Sequence, residues 1–351
     1  MLAFCLPLAG LFLLGCGDSD SQGTFLPWEE LRNPVLALPD RSLKDVAVAY
    51  EPSSGWFYVF TSTRFEPTDP EAGTKEKSFF RTRDFLEFEA FSDPDLNGPG
   101  YGPGSPDLVR VGDLWYMTFQ RSTANVPFLG AATLWVSTSE DLREWSPPRE
   151  LAPELLDPTL RNIDGALAEE GGYFYLGWKK VQSFVVTRSV DPVLDGRWLP
   201  ERPAVAGEEG EFAENFQFIE IDGTWRLLAT GRDPGPYRCE EPAYAIYTCD
   251  HEPFLYRMEG DGTELEHWTR WVEKTHLEVP FEEWNTVMHA NSAYLADWRR
   301  YDGHFYLFYA GSSDGKSFEL RGHGKIGMAR SRDLEHWEVP GVKKPADEAP
   351  S

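Results

Sequence analysis

The sequence predicts an all-β protein, a five-bladed β-propeller with four antiparallel strands per blade. Three observations predict it. A short acidic and hydrophobic cluster with a closing aromatic recurs five times, at Asp84–Phe88, Asp141–Trp145, Asp195–Trp198, Glu264–Trp268 and Asp333–Trp337, the third and fourth copies being degenerate. The closing aromatics recur at intervals of 53 to 70 residues, the length of one small sheet per repeat stacked around an axis. Ahead of each cluster lie two apolar runs joined by a tight turn. No segment sustains the periodicity of an amphipathic helix, which speaks against an α/β fold.

The blades follow in order. Blade 1 is expected to pair Val46–Tyr50 with Trp56–Ser62 around Ser54 and Gly55, and blade 2 to pair Leu108–Val111 with Leu114–Arg121 around Gly112 and Asp113. Blade 3 pairs Ala166–Glu169 with Tyr173–Lys179 around Gly171 and Gly172. Blade 4 pairs Phe216–Ile221 with Trp225–Thr230 around Asp222 and Gly223, and blade 5 pairs Ala293–Ala296 with His304–Ala310 around Asp302 and Gly303. Third strands are expected at Ser78–Thr82, Thr133–Thr138, Phe184–Thr187, Phe254–Met258 and Lys325–Arg330, and the aromatic clusters close the outer strands.

The first sixteen residues hold an apolar run too short to span a bilayer and end in Leu13, Leu14, Gly15 and Cys16. That pattern resembles a bacterial lipobox, residues 1–16 being a signal that ends in a lipidated Cys16, which implies removal of the peptide before Cys16 and a place in the cell envelope. An ordinary signal peptide and a secreted protein is the alternative. Residues 17–24 read as a linker, 25–340 as the propeller and 341–351 as a disordered tail. In an oxidising compartment Cys239 and Cys249 form a plausible disulfide, and their spacing does not suit a metal site. The formal net charge of −25 disfavours nucleic acid and polyanionic glycans, and leaves neutral oligo- or polysaccharides as expected partners. Membrane contact is expected only through the lipid, and the chain is expected to be a monomer.

In a propeller the innermost strands line the axis, so residues just before each first strand converge at one mouth of the channel. Read at those positions, the chain gives Asp45, Asp107, Asp164, Glu214 and His289. Burying unpaired charge is costly, so packing does not select such a set. Crowded carboxylates push their pKa values apart, the condition for one to act as base and another as acid in glycosidic hydrolysis.

These blade starts resemble those of glycoside hydrolase family 43 and its relatives, including the family 62 arabinofuranosidases. Ser42-Leu43-Lys44-Asp45 is similar to the first-blade segment that carries the general base, with the Lys-Asp pair of family 62. Ser105-Pro106-Asp107-Leu108 resembles the pocket-shaping Ala-Pro-Asp-Val stretch, and Asn162-Ile163-Asp164-Gly165 resembles the Ile-Asp-Pro motif whose Asp tunes the acid. Ala213-Glu214-Asn215-Phe216 falls where that family has its acid. His289-Ala290-Asn291-Ser292 resembles a Gly-His-Gly-Ser stretch whose His approaches a central calcium or water cluster. The Pro after the first and third Asp is missing, Asn-Phe follows the acid, and the Gly residues around His289 are replaced.

The resemblance implies an inverting glycosidase that needs no cofactor, with Asp45 as base, Glu214 as acid and Asp164 raising the acid's pKa. Arabinofuranosides are the first expected substrates and β-xylosides the second. Gln120, Lys179, Arg232, His289 and Asn291 are candidate hydroxyl contacts, with Asp107 shaping the pocket. Trp178, Trp284 and Phe128 are candidate sugar platforms, although most of the 13 Trp should pack blades. A β-mannoside phosphorylase, using Arg121, Lys179, Lys180, Arg232 and His289 on phosphate, and a non-catalytic glycan-binding propeller are the alternatives.

Overall fold

The computed structural model describes residues 25–65, 79–93, 96, 103–122, 130–211, 213–232, 251–313 and 324–341. Cys16, Phe128, Cys239, Cys249 and most of the expected tail lie outside the described residues. The described chain forms five antiparallel sheets arranged as a five-bladed propeller. Blade 1 comprises Arg41–Glu51, Trp56–Phe65, Phe79–Thr82 and Glu89–Phe91, and blade 2 comprises Gly104–Val111, Leu114–Ser122, Ala132–Ser139 and Arg149–Glu150. Blade 3 holds Asn162–Glu170, Tyr173–Lys180, Ser183–Arg188 and Arg202–Pro203. Blade 4 holds Ala213–Ile221, Thr224–Arg232, His251–Met258 and Arg270–His276, with Val205–Ala206 added in parallel at its edge. Blade 5 holds Met288–Asp297, Phe305–Ser312, Lys325–Ser331 and Trp337–Glu338.

The first hairpin of each blade turns where the sequence places it. Asp222 and Gly223 sit at φ 51° and 73°, as a primed turn requires at both central positions. Blade 5 differs: a one-turn helix, Arg299–Asp302, precedes Gly303. The aromatic clusters precede the outer strands rather than close them, and Trp337 itself begins one. In blades 1, 2 and 5 they are the turn between third and fourth strands, built on one pattern. Ser139 Oγ accepts the amides of Asp141 and Leu142, and Asp141 Oδ1 accepts those of Arg143 and Glu144. Thr82 with Asp84, and Ser331 with Asp333, repeat it. Side-chain oxygens that satisfy turn amides explain why Asp recurs there.

Apolar residues fill the seams between blades. Leu134 and Val136 of blade 2 meet Leu167, Leu176 and Trp178 of blade 3, and Tyr175 and Phe184 of blade 3 meet Phe216, Phe218 and Trp268 of blade 4. One further feature positions the site. Every first strand bulges at its entry end, with register shifts after Lys44, Gly104, Ile163, Glu214 and Asn291. The residue that follows each shift has left-handed backbone: Asp45, Ser105, Asp164, Asn215 and Ser292, at φ between 43° and 55°.

Candidate active site

These five bulge residues are the true fivefold set, and they correct the alignment read from the sequence. Asp45 and Asp164 are register equivalents, but Asp107 lies two residues beyond Ser105, Glu214 one before Asn215, and His289 three before Ser292. A bulge adds a residue to one strand, so counting from the apolar run misplaces whatever flanks it. Left-handed backbone is costly for L-residues other than Gly, Asn and Asp, and a hydrogen-bond latch holds it here. At the register opposite the last residue before the bulge, the second strands of blades 1, 2 and 4 reach the next blade. Ser62 Oγ accepts the amide of Ser105 at 2.7 Å, Gln120 Oε1 that of Asp164 at 3.1 Å, and Thr230 Oγ1 that of Ser292 at 3.1 Å. Lys179 occupies this register in blade 3 and Ala310 in blade 5.

The bulge residues line a cavity of about 20 Å³ on the axis, together with Asp107, Gln217 and Tyr294; it has room for about one water. They are joined across the ring. Asp45 Oδ1 accepts Asn215 Nδ2 at 2.8 Å, and Asp45 Oδ2 accepts Ser105 Oγ at 3.2 Å. Asn215 Oδ1 accepts Ser292 Oγ at 3.1 Å, and the Asn215 amide donates to Asp164 Oδ2 at 3.3 Å. Lys44 Nζ lies 3.5 Å from Asp45 Oδ1. Glu214 Oε2 accepts Lys179 Nζ at 2.6 Å, while His251 Nδ1 lies 3.6 Å from its other oxygen.

The charges sort the carboxyls. Burial, with Glu214 and Asp45 nearby, raises Asp164 above the usual carboxylate range. Burial also pushes Glu214 up, but Lys179, Lys44 and His251 outweigh it and hold that carboxyl at about 2. Burial alone would lower the Lys44 ammonium, yet Asp45, Glu214 and Asp164 raise it. Asp164 is thus raised while Glu214 is lowered. That differs from the expectation that Asp164 lifts Glu214, and two lysines on the acid are the reason. Asp107 is driven up to about 7 by burial, against amide bonds from Leu167 and Leu108.

The other expected contacts fall in three groups. Gln120 is a latch, and Lys179 an ion-pair partner at 2% exposure. Asn291 is buried and accepts Ser292 Oγ at 3.0 Å. His289 is buried off the cavity, its Nδ1 3.0 Å from Glu252, which His276 Nε2 approaches to 3.8 Å. Arg232 is exposed, two residues past the latch position Thr230. Trp178 and Trp284 are core residues, 0% and 8% exposed; Trp178 Nε1 donates to Asn162 and Trp284 stacks on Tyr309. Neither presents a face to a ligand. Phe281, by contrast, is 48% exposed and stacks on His289 with ring centres 3.7 Å apart. No motif marks Phe281, and Asn215 and Ser292 were legible only as departures from a pattern.

A central calcium does not fit these residues. Calcium takes six to eight oxygen ligands, whereas His289 brings nitrogen and already faces Glu252. Among the described residues no group of three or more His, Cys, Asp or Glu side chains is arranged to hold a metal ion.

No family model matches the sequence, and no curated protein matches it. Solved structures do match in fold. A thermostable family-43 glycoside hydrolase is 13% identical with a TM-score of 0.59, over 91% of this chain and 99% of that one. An alpha-L-arabinofuranosidase from Lactobacillus brevis is 12% identical with a TM-score of 0.61, over 90% and 99%. A structure from the GH130 family of mannoside phosphorylases, which contains glycoside hydrolases that target beta-1,2 mannosidic linkages in Candida mannan, is 16% identical with a TM-score of 0.55, over 87% of each. Other matches are longer, and this chain spans 57% to 60% of their length. At such identities the likeness shows the fold: a five-bladed propeller that glycoside hydrolases also use.

Proposed function

We propose that this chain is an inverting glycoside hydrolase acting on neutral glycans, arabinofuranosides first and β-xylosides second. The observation that carries the reading is the convergence of Asp45 and Asp164, from blades 1 and 3, on Asn215 of blade 4, with Glu214 the residue before it and its charge felt by Asp164. Asp45 takes a proton from water as its oxygen attacks the anomeric carbon. Glu214 gives a proton to the leaving oxygen as the glycosidic bond breaks, and Asp164 governs how readily Glu214 holds it. Cys16 anchors the protein in a bacterial envelope by its lipid, on the sequence pattern alone.

Phosphorolysis is disfavoured because three of the five cations mustered for it are engaged elsewhere: Lys179 by Glu214, Lys180 by Glu201 and His289 by Glu252. The Lys179–Glu214 pair itself favours a second reading, a glycan-binding propeller without turnover. A screen of nitrophenyl furanosides and pyranosides, with NMR of the first-formed anomer, separates the two. The hydrolase reading expects Asp45→Asn and Glu214→Gln to lower kcat on an unactivated glycoside by about 10²–10⁴-fold. Binding of an oligosaccharide without cleavage, or full activity in both variants, would overturn it.

A further inference from the structure

The latch register sets Lys179 apart. Its counterparts Ser62, Gln120 and Thr230 each present an oxygen to the amide of the strained residue on the next blade. Lys179 stands opposite Ile163 at the same register but carries only donors. The Asn215 amide turns to Asp164 Oδ2 instead. At one seam of the ring an acceptor has been replaced by a buried ammonium. That is strongly unfavourable unless a carboxylate meets it, and Glu214 meets it at 2.6 Å. A structural latch needs none of this, since Gln at the equivalent place in blade 2 suffices.

We propose that Lys179 is a positioning residue that locks Glu214: their ion pair is the resting state, and a bound glycoside must part them before Glu214 can hold the leaving group's proton. The inference rests on the hydrolase reading of Glu214. Five charged or titratable groups act on Glu214 or share its cluster: Lys179 and Asp164 from blade 3, Lys44 and Asp45 from blade 1, and His251 from its own blade. When the pair opens, Glu214 takes up a proton from solvent and Lys179 is left free of its carboxylate. As the glycosidic bond breaks, that proton passes to the leaving oxygen, and the Glu214 carboxylate is restored to pair with Lys179 again.

The test uses the full chain with Lys179→Gln, which restores at this seam the residue type that latches blade 2 to blade 3, and Lys179→Arg, which keeps the cation. The first readout is the Glu214 carboxyl titration by ¹³C NMR without substrate, assigned by its loss in Glu214→Gln. The midpoint should rise by about 1–3 pH units in Lys179→Gln and stay low in Lys179→Arg. The second is the ratio of kcat/KM for alkyl over dinitrophenyl glycosides, since dinitrophenolate departs without an acid. That ratio should rise at least about tenfold in Lys179→Gln if unlocking supplies more than one pKa unit of proton availability. An unmoved midpoint, or a moved midpoint with an unchanged ratio, overturns the lock. Unchanged activity of Glu214→Gln on every cleaved glycoside instead overturns the assignment of Glu214 as the acid, and the titration, which needs no substrate, keeps the two failures distinct.

Discussion

Asp107 stands two residues past the strained Ser105 on the axial cavity, with Oδ2 accepting the Leu167 amide at 3.4 Å. Its Oδ1 has no hydrogen-bond partner among the described residues. Burial raises this carboxyl from 3.8 to about 7, so the folded chain favours the protonated form. The stability it contributes is complete below about pH 4 and is lost as pH rises through 7. Asp107→Asn keeps the shape without the charge. It should match the parent protein near pH 4 and exceed it at pH 8 by up to about 4 kcal/mol. Urea unfolding at the two pH values measures the difference; a variant equally destabilised at both would deny the carboxyl this role. At this scale the sequence was legible in kind but not in offset. Small polar residues before apolar runs mark the channel mouth, so Asp45 and Asp164 could be found. The bulge moves their neighbours by one to three residues, which no local pattern records, and Trp178 reads like any ring until its seam is seen.

Strands and hairpins were legible because alternation and Gly-bearing turns are local. The latches were not, since they join residues 43, 44 and 62 apart. They nevertheless decide where the site sits, by holding the bulges of blades 2, 3 and 5 against the preceding blade. Thr230 tests this most cleanly: it is buried, and its Oγ1 accepts the Ser292 amide. Thr230→Val preserves shape and orphans that amide, which should cost about 1–3 kcal/mol. Ser292 also donates to Asn215, which in turn donates to Asp45. The variant should therefore lower kcat as well as stability, even though Thr230 is two hydrogen-bonded residues removed from Asp45. Denaturant midpoints and initial rates together check it: a stability loss with unchanged kcat would confine the latch to structure. The aromatic cluster shows the opposite lesson. It counted the blades correctly because a capped turn recurs in three of them, although it leads into the outer strand rather than closing it.

A ring of blades is only as strong as the seam where the chain ends meet. Here Ala310 holds the latch register and has no side-chain acceptor, so the seam between blades 5 and 1 is closed by other means. Leu43 and Gly324 exchange backbone bonds at 2.8 Å, and Leu36 pairs with Ile326 at the outer edge of a strand whose own partner reaches only Arg330 and Ser331. Asn33 adds a two-way clasp on Met328, donating to its carbonyl and accepting its amide, both at 2.9 Å, and also donates to Glu282 at 2.7 Å. The segment before blade 1 thus belongs to blade 5 in space. Opening the ring there breaks one apolar seam and a few hydrogen bonds, whereas unfolding blade 4 disrupts two seams. Asn33→Ala should cost about 1–3 kcal/mol, and the loss should be local. Hydrogen exchange at the Ile326 and Met328 amides should quicken at least about tenfold, the equivalent of 1.4 kcal/mol, while Leu228 in blade 4 keeps its protection. Equal loss at all three amides would mean that the propeller opens only as a whole and that this seam is no weaker than the rest.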